Sequence, residues 1–245
     1  MYNIIILKTI KRGDLMKICT YNIWNDSKDF SKRIELLVQE INNNDVDFIA
    51  LQEVKDEETF KTIQSQTHFQ YGFYYNEIGV LSKNPLNEVV THNKDNCYIQ
   101  RVFMGNIAFT NVHLDYKVPS NRAEGIYTVL DFIEENQKDI EIILGDFNET
   151  PDDSIHFDLI LDNFHDLHKE YAHQINEIPL PTLDFQTNPR WVSSPSLSEP
   201  LRCDWIMLYT DQKYKINTAK IIGTKQTNNI TPSDHYGVLV DIVFE

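Results

Sequence analysis

The sequence predicts an α/β protein whose buried strands deliver polar residues to one place. Two observations carry this: apolar strand-like runs that end in an acid, and amphipathic helical stripes between such runs. Ile142-Ile143-Leu144 follows polar Asp139 and Glu141 and ends in Gly145-Asp146-Phe147-Asn148. Three aliphatic residues in a row read as a strand buried on both faces. In an extended chain, positions two apart share a side, so Asp146 and Asn148 should face one point. That point lies at a strand mouth, where α/β sheets bind ligands. An anion beside a neutral amide suits a hard cation with a phosphate or an attacking water. A plain strand-end turn competes, because Gly, Asp and Asn all form turns.

The other elements follow in order. Lys17 to Trp24 reads as a strand, with Ile18, Thr20, Asn22 and Trp24 on one face and Cys19, Tyr21 and Ile23 on the other. Asn22, late in a buried strand, must find partners. A helix over 28–43 has the apolar stripe Phe30, Ile34, Leu37, Val38 and Ile41, and Asn42-Asn43-Asn44 ends it. Val46 to Leu51 is a second buried strand, followed at once by Gln52-Glu53-Val54. A solvated acid is the usual fate of Glu, but two buried strands that both end in acids favour a site. A helix follows near 56–66.

Residues 71–110 form a β-rich stretch, with strands at Phe73-Tyr74-Tyr75, Gly79-Val80-Leu81 and Tyr98 to Met104. Ile107 to Leu114 is a further strand, ending near His113 and Asp115; a lone histidine there is more often structural than catalytic. A helix over 121–136 buries Ile126, Val129, Leu130 and Ile133. Thr150-Pro151-Asp152-Asp153 reads as a helix start, with proline at the first position. Residues 171–200 hold five of the nine prolines and read as a long surface loop. Leu201 to Leu208 is a strand containing Asp204, which needs a partner. Thr231 to Gly237 then places Asp234-His235 before the last strand, Val238 to Phe244. If Asp204 reaches His235, it sets the tautomer and orientation of the ring.

Bulk properties bound the partners. The net charge of −15 argues against a general nucleic-acid binder, which shows a basic face, without excluding a nuclease that holds its substrate at a metal. No apolar run approaches the roughly 20 residues needed to span a membrane. Cys19, Cys97 and Cys203 are widely spaced with no CxxC, as expected for reduced thiols in a cytoplasmic protein. Residues 1–16 fit the rest poorly. Lys11-Arg12-Gly13-Asp14 can be encoded by a purine-rich ribosome-binding site, so translation is expected to start at Met16. The domain is then expected to span 17–245 as one unit, after a non-native or disordered extension.

The pattern Thr20-Tyr21-Asn22, Leu51-Gln52-Glu53-Val54, Val112-His113-Leu114, Gly145-Asp146-Phe147-Asn148, Arg202-Cys203-Asp204-Trp205-Ile206 and Ser233-Asp234-His235 resembles the endonuclease/exonuclease/phosphatase, or deoxyribonuclease-I-like, superfamily and its small bacterial members. The resemblance implies a four-layer sandwich, two packed mixed β-sheets flanked by helices. It also implies a metal-dependent phosphoric ester hydrolase. Glu53 would be the principal ligand of Mg²⁺ or Mn²⁺, and Asp234 would lie near the same or a second ion. Asp146 and Asn148 would position the attacking water, the scissile phosphate and the metal region, with Asn22 beside them. His235, oriented by Asp204, would be a general base or phosphate-stabilising group, and His113 would bind a phosphate oxygen or assist the leaving group. The implied partner is a phosphate ester, with nucleic acid among the candidates, for a monomer without membrane insertion. A phosphodiesterase or nuclease leads, and a phosphatase for a small-molecule or lipid-headgroup monoester competes. A non-catalytic module of the same fold would show a broken position, whereas all eight of these residues are present. Trp24 and Thr150 stand where tyrosyl-DNA phosphodiesterases of the superfamily carry an acid and an arginine, which weakens that particular carry-over.

Overall fold

The computed structural model describes residues 15–151, 154, 163–191 and 199–245. Its strands form two six-stranded sheets. The first runs, in spatial order, Tyr214–Ile222 (β11), Gly237–Phe244 (β12), Leu15–Asn22 (β1), Phe48–Gln52 (β2), Ile78–Ser82 (β4) and Tyr71–Tyr75 (β3). The second runs Asn87–Lys94 (β5), Cys97–Met104 (β6), Ile107–His113 (β7), Ile140–Asp146 (β8), Asp204–Thr210 (β10) and His165–Asp166 (β9). Among the described residues the helices are Phe30–Asn44 (α1), Glu57–Gln66 (α2), Pro119–Glu135 (α3) and Leu167–Gln174 (α4).

Both sheets have the same pairing pattern, although the sequence shows no repeat. In each, one parallel pair sits among antiparallel ones: β1 with β2, and β7 with β8. Parallel neighbours need a crossover, and α1 and α3 supply it. The chain passes from the first sheet to the second and returns for β11 and β12.

The layers follow from which faces are apolar. Met16, Ile18, Phe48 and Ala50 of the first sheet meet Phe109, Ile142, Leu144 and Ile206 of the second in a shared core. Phe48 and Phe109 stack across it, with ring centres 3.8 Å apart. The outer face of the first sheet (Cys19, Tyr21, Ile49, Leu51) buries Leu37 and Ile41 of α1 and Phe60 and Ile63 of α2. The outer face of the second (Ile143, Trp205, Met207) buries Ile126 and Val129 of α3. This is the expected four-layer sandwich. Among the described residues, no helix is long and apolar enough to cross a membrane.

Some boundaries and elements differ from the expectation. The triple asparagine lies within α1, which stops at Asp45, whose φ of 52° is left-handed. The structure adds β5, β9, β11 and α4. Tyr171 to Gln174 belong to α4, so the expected loop starts after them. Thr182 and Asn188 in that loop are buried, because they hydrogen-bond the segments that carry the site, and Phe185 is buried against Trp191. Residues 1–14, 152–153, 155–162 and 192–198, which include most of the helix expected after Thr150, lie outside the described residues.

Candidate active site

Along the inner faces of the central strands, polarity rises toward one end. β1 presents Met16 and Ile18, then Thr20 and Asn22; β2 presents Phe48 and Ala50, then Gln52. β7 presents Ile107 and Phe109, then Asn111 and His113, and β8 presents Ile140, Ile142 and Leu144, then Asp146. The middle polar layer joins the sheets. Gln52 Nε2 donates to Thr20 Oγ1 at 3.1 Å and to Asn111 Oδ1 at 2.7 Å, and Asn111 Nδ2 donates to the Leu51 carbonyl at 3.1 Å. These bonds satisfy buried amides that would otherwise be costly.

Above that layer the charged groups converge. Asn22 Nδ2 bridges two acids, Glu53 Oε1 at 3.0 Å and Asp146 Oδ2 at 2.8 Å. Strand register sets Asp204 directly beside Asp146 and His113 on its other side. His235 Nδ1 pairs with Asp204 Oδ2 at 2.9 Å, the contact the sequence suggested. His235 Nε2 and His113 Nε2 each lie 3.9 Å from the same Asp146 Oδ2. That distance is too long for a hydrogen bond and suits a bridging oxygen between the groups.

Asp146 and Asn148 are joined by a turn rather than by the expected extended chain. Asn148 has a φ of 53°, and its N–H donates to Asp146 Oδ1 at 2.8 Å, closing a turn. Its Nδ2 donates to the Leu114 carbonyl at 2.8 Å. Glu53 has a φ of 54°, so both non-glycine residues hold left-handed backbone beside the charges. Gly145 is required: a Cβ there would lie 1.9 Å from the Val112 carbonyl oxygen.

Burial and charge shift the titrations. Burial lifts the Asp234 carboxyl to about 6, opposed by His235 and reinforced by Glu53 and Asp146. Burial also lifts Asp204, with His235 opposing and Asp146 adding to it. For His235, burial disfavours the imidazolium, and Asp204 and Asp146 overcome this, holding its pKa well above the ordinary value. His113 is raised too, against its burial, by a hydrogen bond to Glu77 and by Asp146 and Glu53.

Every residue singled out from the sequence lies in this region or borders the cleft above it, a cavity of about 550 Å³ lined by Glu53, His113, Asn148, Asp234 and His235 among others. Sequence reasoning missed Glu77, which pairs with His113 Nδ1 at 2.6 Å. Glu77 follows Asn76, whose φ is 54°, in the β3–β4 turn; a polar turn residue gives no signal of its own. It also missed Asn188, whose Nδ2 holds the Ser233 and Asp234 carbonyls at 3.0 and 3.1 Å, and Trp191, whose Nε1 donates to the Asp234 carbonyl at 2.9 Å.

The donors here fit a hard divalent cation. Glu53, Asp146 and Asp234 offer carboxylate oxygens, and Asp146, Asp204 and His235 present ligand-type atoms within 4.8 Å of one another. Fold and site together define an α/β sandwich with a buried cluster of acids and histidines at its strand ends. The sequence pattern of the Endonuclease/Exonuclease/phosphatase family matches residues 19–235, and the chain belongs to that family. No curated protein matches. Among solved structures, truncated TDP2 of Caenorhabditis elegans is 19% identical, with a TM-score of 0.76 over 96% of this chain and 99% of that one. TDP2 of D. rerio in complex with a single-strand DNA product is 17% identical, with a TM-score of 0.78 over 94% and 99%. A mannosyl-6-phosphatase of Bacteroides thetaiotaomicron is 17% identical, with a TM-score of 0.70 over 94% and 100%. At these identities the likeness is one of fold.

Proposed function

We propose that this chain is a Mg²⁺- or Mn²⁺-dependent hydrolase of phosphate esters, working by in-line attack of water on phosphorus. The observation that carries the reading is charge imbalance. Glu53, Glu77, Asp146, Asp204 and Asp234 surround two imidazoles and one bridging amide, with Asp146, Asp204 and Asp234 almost fully buried. Buried like charges are expensive without a counter-ion.

Glu53 and Asp234 would hold the cation, with Asp146 and Asn148 at its flank. When bound, the cation neutralises phosphate oxygens and lowers the pKa of nearby water. Asp146, fixed by Asn22 and by the Asn148 N–H, and Asn148, fixed on the Leu114 carbonyl, position the attacking water and the phosphate. Asp204 holds His235 so that Nε2 faces the reacting group. There it takes the proton of the water or, already charged, steadies a phosphate oxygen. His113, held by Glu77, steadies a second oxygen or the leaving group.

Two features of the cleft bear on the substrate. Beyond the two site histidines, Lys117 is the one lysine or arginine among the described residues that line it, which favours a small ester with a single phosphate. Tyr98, Tyr116 and Trp191 also line it, and such faces stack bases at the end of a strand, the second reading. The deciding experiment compares turnover of small phosphomonoesters, small phosphodiesters and end-labelled oligonucleotides, each with Mg²⁺ or EDTA. Small-ester turnover abolished by EDTA supports the first reading, and oligonucleotide cleavage lost in EDTA supports the second. A chain that binds Mg²⁺ and turns over none of them overturns both.

A further inference from the structure

Arg33 is a charged side chain with no place in the chemistry above, yet it has 0% exposure. Among the described residues it makes no hydrogen bond to a carboxylate. Its guanidinium instead gathers five backbone carbonyls. Nε donates to Lys28 at 2.9 Å, Nη1 to Ile23 and Trp24 at 2.9 Å each and to Pro232 at 3.4 Å, and Nη2 to Asp26. Burial, with the Arg190 charge, pulls its pKa down only to about 10, so it is charged at neutral pH.

Those carbonyls belong to two segments, one that contacts Glu53 and one that carries Asp234, the two proposed cation ligands. The first, 23–28, leads out of β1 and includes Asn25, whose N–H donates to Glu53 Oε2 at 3.2 Å. The second is Pro232, two residues before Asp234. The grip continues outward: two guanidinium groups lie against the Trp24 ring, that of Arg33 at 4.6 Å and that of Arg190 at 5.2 Å from its centre. The Arg190 side chain is 3% exposed and pairs with Asp29 Oδ2 at 3.0 Å, and its neighbour Trp191 holds the Asp234 carbonyl. A planar fork with donors in fixed directions can hold carbonyls from two segments at once, which a lysine ammonium cannot reproduce.

We propose that Arg33 is a positioning residue that fixes Glu53 and Asp234 relative to each other, with the Trp24–Arg190 stack as its outer support. The inference rests on the cation reading above. The general reason is that misplacing a ligand by a fraction of an ångström weakens a preorganised site without removing any donor.

The test measures Mn²⁺ affinity directly by electron paramagnetic resonance, alongside melting temperature, for wild type, Arg33→Lys, Arg190→Met and Arg101→Lys. Arg101 is an equally buried arginine outside the site. Arg33→Lys is expected to weaken Mn²⁺ binding about tenfold, in line with effects of outer-shell partners. Arg190→Met should weaken it about threefold, and Arg101→Lys should lower the melting temperature with Mn²⁺ affinity unchanged. If Arg33→Lys melts lower but binds Mn²⁺ like wild type, its role is structural only and the inference is overturned. If Arg33→Lys does not fold, Arg190→Met decides alone, and wild-type affinity there overturns the coupling. Wild type that binds no Mn²⁺ overturns the proposed function itself, which is a different outcome from either.

Discussion

The two ends of β8 bury charge in opposite ways. At its start, Glu141 is fully buried with both oxygens on Arg101, at 2.7 and 2.8 Å. Arg101 also donates to Thr110 Oγ1 and the Asn136 carbonyl, and the Lys138 N–H caps Glu141 Oε1 at 2.6 Å. One acid meets one base, with both carboxylate oxygens satisfied. At its end, Asp146 stands beside Asp204 on the next strand, with Glu53, Glu77 and Asp234 nearby and two imidazoles among them. A structural buried ion pair is neutral and closed. The far end is neither, and its unmatched negative charge is what a bound cation would complete.

The largest effect expected concerns the open end. His235→Ala should lower kcat by roughly three orders of magnitude, since it removes a proton-transfer or phosphate contact at the reacting centre. Steady-state kinetics at saturating cation checks this, and near-normal turnover would place the chemistry elsewhere. At the closed end, Arg101→Met should cost about 3–5 kcal/mol of stability, because Glu141 is left charged and buried. Urea denaturation measures it, and a loss under 1 kcal/mol would mean the two ends are not distinguished as argued.

The next effect separates the ends by cation. Mg²⁺ at about 100 times its Kd should stabilise wild type by about 2.7 kcal/mol, a rise of about 5–10 °C in Tm. Glu53→Gln should lose most of that rise and Arg101→Met should keep it, as read by differential scanning calorimetry. An equal rise in all three would show a non-specific ion effect.

The smallest effect comes from a buried titratable group that is held neutral. His168 is 3% exposed, and burial with the Arg202 charge depresses its pKa to about 4. A histidine with a depressed folded pKa takes up a proton more readily when unfolded. Its contribution is therefore present above the unfolded value near 6.5 and is lost as pH falls toward 4. Between pH 8 and pH 5 the loss should be about 2 kcal/mol. His168→Gln should remove that part of the pH dependence, and identical pH–stability curves for the two proteins would show that His168 does not titrate this way.

The site was more legible in the sequence than the frame that holds it. The central strands β1, β2, β7, β8, β10 and β12 announce themselves because burial on both faces demands long apolar runs, so an acid or amide at their ends stands out. The edge elements do not. β5 and β11 each lie at a sheet margin, where one side faces solvent and polar residues are tolerated. In β11 a register shift between Ile216 and Thr218 also breaks the period of two. The helix α4 has eight residues, too few for a clear stripe, and its evident local signal is Asp166, which caps it by accepting from the Lys169 N–H.

The sequence by itself determined the α/β class, the central strands and the polar residues that end them, because period and composition are local properties. Tertiary structure decided which of those ends meet. It set Asp204 against Asp146 by strand register, and aimed two imidazoles at one carboxylate oxygen. It also turned Glu77, Asn188 and Arg33 into partners of residues 36, 45 and up to 199 positions away. A side chain in a turn or on a helix has no local pattern that names so distant a partner. Only the packing of distant segments in the tertiary fold brings the partners within reach.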